Sequence, residues 1–395
     1  MPSICFVAGD PSGDAHAARL IDTLKTHPPG PTGTSAGAGG SWTFTGLGGP
    51  AMQRAGAVLL DDLTKASAIG PFDAFRYLGR FTRARRLLND HLIAQQPDLV
   101  ILVDFGDFNL PVIAPLVKRH GIPILYYISP QVWAWGRFRL RAIRRFVDRM
   151  VVFFPFEETL YQRAQIPVTW VGHPLIETAH PTLEKEEAAR RFGLNPWRRT
   201  VGLLPGSREH EVDRHLPLML AAARRIAWHL PGVQFLLPKA PSVAPAWLDR
   251  HLARARCEVH VADGSVYDAL QLMDAAIVAS GTATLDAALC RVPMVVVYRA
   301  SWPTYVVARA VIRVPSIALV NVVAGRTVVP ELIQQAANPK RIADTMMELL
   351  RNDERCAAMK EELREVTATL GPPGAVGRAA CAVMELLKQP CPRHS

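Results

Sequence analysis

The chain has 395 residues, 49% of them hydrophobic and 20% charged, and a formal net charge of +10. That length exceeds what one ordinary core encloses, so two domains are expected, and the composition is globular rather than disordered. No run of about 18 uncharged apolar residues occurs, which excludes a membrane-spanning helix. Residues 1–8 lack a basic leader and read as a first strand instead of a signal peptide, so a cytoplasmic location is expected. The six cysteines show no CxxC or Cys/His spacing, and neither a zinc site nor a disulfide framework is expected.

A strand is predicted over Ser3–Ala8 and a helix over 15–25, with Gly9-Asp10-Pro11-Ser12-Gly13-Asp14 between them. Glycines there allow a tight turn and close backbone approach, and the helix start offers amides to an anion. An ordinary turn with Asp14 complementing the positive helix end explains the same residues equally well. The absence of GxGxxG speaks against a dinucleotide cofactor. Residues 27–41, rich in Gly, Pro, Ser and Thr, read as an inserted loop before a strand at 43–47. Next, Ile69, Phe72, Phe75, Tyr77, Leu78 and Phe81 intersperse with Arg76, Arg80, Arg83, Arg85 and Arg86. Charge alone would suit a solvated helix face or any anionic surface. The large apolar neighbours favour a membrane-seated segment, and no nucleic-acid module accompanies them.

A helix over 81–95 leads to an apolar strand, Leu99–Val103, and then to Asp104-Phe105-Gly106-Asp107-Phe108-Asn109. Carboxylates at the carboxyl end of a strand are placed to take a proton from a hydroxyl. Asp107 and Asn109, nearer the following helix at 111–120, suit capping better; Asp104 is the better base. A strand at 123–127, a second arginine-rich helix at 138–146 and a strand at 150–154 complete the first half. The domain boundary is expected within 167–196, near Gly172-His173-Pro174.

The second half repeats the alternation, with strands at Thr200–Leu204, 233–237, 258–261, Ala275–Ala279 and Met294–Tyr298 and helices at 210–230, 266–271 and 282–289. Two of its strand-to-helix turns carry chemistry. Gly206-Ser207-Arg208 is a candidate diphosphate clamp, since arginine makes paired charged bonds to phosphate; a helix start capped by Ser207 is the bland alternative. Ser280-Gly281-Thr282 directs amides and hydroxyls at an anion, with Asp286 one turn on to accept from a sugar. Alternating strands and helices predict parallel sheets, hence an α/β chain of two doubly wound domains facing a cleft.

These motifs, in this order, resemble the lipid-A-disaccharide synthase family from Phe6 to about Leu387; Ser129-Pro130-Gln131-Val132-Trp133-Ala134-Trp135 and Leu204-Pro205-Gly206-Ser207-Arg208 are the most specific stretches. The resemblance implies a GT-B fold of two Rossmann-like domains, 1–172 for acceptor and membrane and 173–374 for the UDP-sugar. A final helix within 375–387 would return to the first domain. It implies an inverting transfer from UDP-2,3-diacylglucosamine to 2,3-diacylglucosamine 1-phosphate, giving a β-1,6-linked disaccharide phosphate and UDP. Asp104 matches the family's base, with Asp107 and Asp14 as reserves. Gly206, Ser207, Arg208, Ser280, Gly281, Thr282, Asp286, Asn321 and Glu331 would serve the donor. Ser12, Gly13, Asn109, Ile69, Phe72, Phe75, Arg76 and Arg80 would serve the acceptor and its lipid. No metal or cofactor is implied, the protein would sit peripherally on the inner leaflet, and a homodimer is left open. The family's usual Glu is replaced by Asp286, and its usual Glu in the first loop by Asp10. Rival readings are another GT-B UDP-sugar transferase or epimerase, or a silent sugar-nucleotide-binding protein.

Overall fold

The computed structural model describes residues 1–27, 41–64, 74–134, 136, 138–302, 305–306 and 315–388, without the side chains of 74–78. The inserted loop, Ile69, Phe72, Trp135 and the side chains of Phe75, Arg76, Tyr77 and Leu78 therefore lie outside the described residues.

The chain divides into two compact units, Met1–Pro174 with Pro372–Ser395, and Leu175–Gly371. In the first unit, strands β1 (Ser3–Ala8), β2 (Thr43–Gly48), β3 (Val58–Asp62), β4 (Leu99–Val103), β5 (Ile124–Tyr127), β6 (Arg149–Val152) and β7 (Val168–Trp170) form one parallel sheet. Its order is β3-β2-β1-β4-β5-β6-β7. In the second, β8 (Thr200–Leu204), β9 (Gln234–Pro238), β10 (Val259–Ala262), β11 (Ala275–Ala279), β12 (Met294–Tyr298) and β13 (Glu331–Ile333) run parallel in the order β10-β9-β8-β11-β12-β13. The central strands are wholly buried apolar runs, as a sheet covered by helices on both faces requires. Three strands, β3, β7 and β13, give no clear sequence signal. Each is an edge strand of three to five mostly half-buried residues, so none carries a sustained buried apolar run.

Both sheets reverse their strand order once, between β1 and β4 and between β8 and β11. At such a point neighbouring loops diverge and leave a crevice beyond the carboxyl ends of the strands. Ala8 pairs with Val103, so Gly9 and Asp104 leave the first sheet side by side. In the second sheet Leu204 pairs with Val278, and the turns at Pro205–Arg208 and Ser280–Thr282 leave together.

The last helix, Ala375–Lys388, packs on helix Pro11–Thr26 and belongs to the first unit. Arg378 Nε donates to the Val171 carbonyl at 2.9 Å, and Arg149 meets Glu385 at 3.0 Å.

Helix Pro11–Thr26 begins four residues before its predicted start because Asp10 caps it, accepting from the Gly13 N–H at 2.7 Å. Ser12, Gly13 and Asp14 thus form a first helical turn instead of a loop. Asp14 is only 3% exposed, and its oxygens accept from the N–H groups of Gly49 (2.9 Å), Ala51 (2.8 Å) and Met52 (3.0 Å). Those amides open the short helix Pro50–Arg54, so Asp14 pins one helix to another and its proposed reserve role in proton transfer is set aside. Replacing it leaves buried N–H groups without an acceptor. Asp14→Ala is expected to cost about 3 kcal/mol in urea unfolding, the scale of a lost charged hydrogen bond with its stranded partners. Unchanged stability with lost turnover would restore the catalytic reading.

Candidate active site

In the first unit the site centres on Asp104, where β4 ends in a strained turn. Asp104 and Phe105 both adopt left-handed backbone conformations, at φ 43° and 50°. Such geometry costs a non-glycine residue about 1–3 kcal/mol and persists only where the surroundings impose it. Here two side chains converge on one atom: the Tyr126 hydroxyl and the Asn109 amide donate to the Asp104 carbonyl oxygen at 2.5 and 2.9 Å. The Asp104 N–H donates to the Tyr127 carbonyl at 3.0 Å. The turn also folds the Phe105 ring over Gly9, where a Cβ would lie 2.1 Å from the ring, so only glycine fits at the end of β1.

Burial pushes the Asp104 carboxyl up to about 7; the Asp10 charge adds to the rise, a backbone hydrogen bond from Phe105 opposes it, and Asp107 contributes last. A carboxyl poised near neutrality is suited to accept a proton and release it again. Asp107 differs in every respect. Its side chain is 77% exposed and pairs with Arg139. Asn109 is fully buried, so its placement among acceptor contacts is corrected: it holds the Asp104 turn. Ser12 is exposed beside the crevice, while Gly13 is buried and closes the Asp10 cap.

The neighbouring loop after β5 is supported from below. Glu157 is 3% exposed, with its carboxyl pushed up to about 8 by burial, against which the Phe154 N–H and the Ser129 hydroxyl work. The Ser129 and Tyr161 hydroxyls meet at 2.7 Å, and Trp133 packs edge-on against Phe156. His16 and His173 flank Phe153, and burial lowers both imidazoles to about 4, so both are neutral.

In the second unit, Gly206 turns at φ 119°, and a Cβ there would lie 2.5 Å from the Glu211 carboxylate. Glu211 accepts from the Ser207 and Arg208 N–H groups at 3.0 and 3.3 Å, so these amides are not open to a phosphate. What the turn offers is the Arg208 guanidinium, 61% exposed and 3.7 Å from Glu211. Sequence reading missed His215. Its Nδ1 lies 3.1 Å from the Pro205 carbonyl and its Nε2 accepts from the Arg299 N–H at 3.2 Å, which fixes the tautomer and ties the β8 turn to the end of β12.

At the β11 turn, the N–H groups of Gly281, Thr282 and Ala283 find no acceptor among the described residues, and the space over Gly281 is open. Asp286 is a correction: it accepts from the Tyr267 hydroxyl at 2.7 Å, and burial raises its carboxyl above the usual range. Asn321 is also spent internally. Its amide donates to Glu331 at 2.7 Å and to the Val329 carbonyl at 2.9 Å, while its oxygen accepts from Val328 and Val329. Glu331 accepts in addition from the Ile317 and Ala318 N–H groups at 3.0 and 3.1 Å, and the Ser280 hydroxyl donates to the Ile317 carbonyl at 2.8 Å. Ser280, Asn321 and Glu331 therefore frame one loop between them. The lipid-facing arginines are likewise redistributed. Arg80 donates to the Asp62 carbonyl, while Arg83, 3.8 Å from Asp61, and Arg85 and Arg86 are all exposed.

The family model "Lipid-A-disaccharide synthetase" matches residues 4–385. The lipid-A-disaccharide synthase of Syntrophus aciditrophicus is 43% identical over 98% of both chains, and that of Geobacter sulfurreducens 41% identical over 97% of both. Among solved structures, a putative UDP-N-acetylglucosamine 2-epimerase from Listeria monocytogenes superposes with a TM-score of 0.67 at 12% identity, covering 100% of this chain and 99% of that one. The calicheamicin glycosyltransferase CalG4 gives 0.62 at 15% identity, covering 99% and 100%. At that identity the likeness is one of fold, the GT-B arrangement of two doubly wound units.

The state of Asp104 can be read from stability. The folded protein keeps a proton that the unfolded chain releases near pH 4, so stability falls as pH rises from about 4 to about 7. Asp104→Asn escapes this loss. Its melting temperature is expected to exceed that of the parent at pH 8 and to converge with it towards pH 4; a gap independent of pH would mean that Asp104 is ionised throughout.

Proposed function

The chain belongs to the lipid-A-disaccharide synthase family, and on that premise we propose that it joins UDP-2,3-diacylglucosamine to 2,3-diacylglucosamine 1-phosphate with Asp104 as the base. A UDP-sugar glycosyltransferase activity follows from membership of the family. The observation that carries the residue assignment is the Asp104 turn: a half-buried carboxyl near neutrality, held in a strained conformation at the strand-order reversal of its sheet. In the proposed step the acceptor 6-hydroxyl oxygen attacks the anomeric carbon, its proton passes to Asp104, and the bond to the UDP oxygen breaks. An α-linked donor thereby yields a β-linked product by a single inversion, with no sugar bound covalently to the protein.

On the donor side, Arg208 takes the diphosphate, with the free amides of Gly281–Ala283 beside the departing phosphate charge. Three acceptor sites of the Glu331 carboxylate are filled by N–H groups. An ionised carboxylate has about four; the remaining one suits a ribose hydroxyl, with Asn321 holding the group in place. Asn321 and Asp286 position this region without needing to touch the nucleotide.

Incubation with the two acylated precursors should give the disaccharide phosphate by mass analysis; UDP binding without product would favour a silent binding protein. Asp104→Asn should lower turnover at least about 10²-fold, the lower range for positioned acid–base catalysis, with UDP affinity kept. Near-parental turnover would remove Asp104 from the mechanism. Arg208→Ala should weaken UDP binding by about 1.5–3 kcal/mol in calorimetry, as loss of a charged hydrogen bond does; unchanged affinity would leave Arg208 only a place at the start of its helix.

We also propose peripheral attachment to anionic lipid. No described helix is long and apolar enough to cross a membrane. The exposed Arg85 and Arg86 follow the apolar segment at 69–81, and each contributes about 1 kcal/mol of attraction near an anionic surface. Sedimentation with anionic vesicles should weaken as salt rises and weaken further in Arg85→Glu/Arg86→Glu; equal binding to neutral and anionic vesicles would refute it.

A further inference from the structure

Helix Ala74–Gln95 and the helical stretch from Gly106 to Arg119 lie alongside one another in the first unit. Phe81 joins them at one end, its ring 4.9 Å from Phe108 and 6.0 Å from Phe105. At the other end His120 Nε2 and Asn89 Oδ1 meet at 3.2 Å. Between the two runs lies a groove of about 620 Å³. Its lining includes Phe105, the residue after Asp104, and Phe108, Val112, Pro115, Leu116 and Arg119 along the second run. At 1.5 Å per helical residue, Asp107 and Arg119 stand about 18 Å apart.

Most of the groove's lining is apolar, with Thr82, Arg85, Asp107 and Arg119 as its polar members. Arg85 and Arg119 are exposed, and the one carboxylate in the lining, Asp107, is already neutralised by Arg139. A sugar ring has no use for such walls, whereas a long apolar chain gains free energy for each methylene taken from water. The net positive edge complements an anionic lipid and would disfavour a cationic one. A methyl end pushed past Leu116 would meet water and the Arg119 guanidinium, so the far end sets a limit on length.

We propose that this groove seats one acyl chain of the acceptor, running from the sugar at Asp104, with Pro115, Leu116 and Arg119 setting the chain length accepted. The inference rests on the acylated acceptor assigned above and deepens it. Val112→Trp fills the middle of the groove from one helix, and Thr82→Trp, at an exposed position, fills it from the other. Each is assayed in detergent with acceptors bearing long and short acyl chains, beside the unmodified protein, with thermal melting and UDP binding as controls.

Each displaced methylene costs about fourfold in affinity. The long-chain acceptor should therefore lose at least about tenfold in kcat/KM through KM, the short-chain acceptor should change less than about twofold, and melting and UDP affinity should hold. Equal losses with both acceptors, or none with either, would overturn the proposal. Loss of vesicle binding with long-chain turnover intact would assign the groove to bilayer lipid and overturn it as well. Should Val112→Trp melt early, Thr82→Trp decides. An unmodified protein inactive on the acylated pair would sink the parent reading, whereas an active one with indifferent variants would sink the groove alone.

Discussion

Two hydrogen bonds onto a single carbonyl oxygen hold the first unit's site together. The Tyr126 hydroxyl and the Asn109 amide meet on Asp104, and the left-handed turn they hold decides three things at once. It aims a carboxyl out of the end of β4, places Phe105 over Gly9 so that the β1 turn stays close, and starts the helical stretch that walls the apolar groove. That stretch carries a π turn at Asn109–Ile113, the distortion that lets Asn109 reach back to the strand end. A buried polar cluster of this kind tolerates little change, because losing the Tyr126 hydroxyl or the Asn109 amide leaves the Asp104 carbonyl short of a donor in a low dielectric.

The second unit solves the matching problem with a carboxylate at the centre instead of a carbonyl. Glu331, at the start of an edge strand, collects N–H groups from Ile317, Ala318 and Asn321, and Ser280 closes the ring from the β11 side. His215 performs the same service between β8 and β12. In both units the residues proposed to face ligand are few, and most of the polar side chains near them hold loops in shape. The preorganisation is therefore built into the free protein.

That division explains what the sequence could and could not disclose. Apolar strand runs, glycine turns and their order made both sheets legible, along with the positions of the turns at Asp104, Gly206-Ser207-Arg208 and Ser280-Gly281-Thr282 at the carboxyl ends of their strands. The helix start after Gly206 was legible but its cap was not: Arg208, not Ser207, occupies the cap position, and Glu211 accepts from the Ser207 and Arg208 amides. Roles that depend on strand pairing were not. Tyr126 and Asp104 are 22 residues apart and meet only because β4 and β5 are neighbours, and His215 reaches Arg299 across 84 residues. Sequence alone makes Asn109, Asp286 and Asn321 candidate ligand contacts and Asp14 a reserve base, because polar residues in loops near a crevice look alike until their hydrogen bonds are traced. Each turned out to be paired within the protein.

The placing of helix Ala375–Lys388 in the first unit has a consequence for how the chain is made. The first unit is assembled from both ends of the sequence, with the whole of Leu175–Gly371 inserted between them. During synthesis at roughly 5–20 residues per second, about 10–40 s pass between the emergence of β7 and that of the helix which covers Pro11–Thr26. Over that interval the inserted unit, continuous in sequence, has every strand it needs, while the unit begun first waits with an apolar helix face uncovered. The nascent chain is most exposed to aggregation and to chaperone capture in that window, and a ribosome stalled before residue 375 releases a protein whose later half is finished and whose earlier half is not.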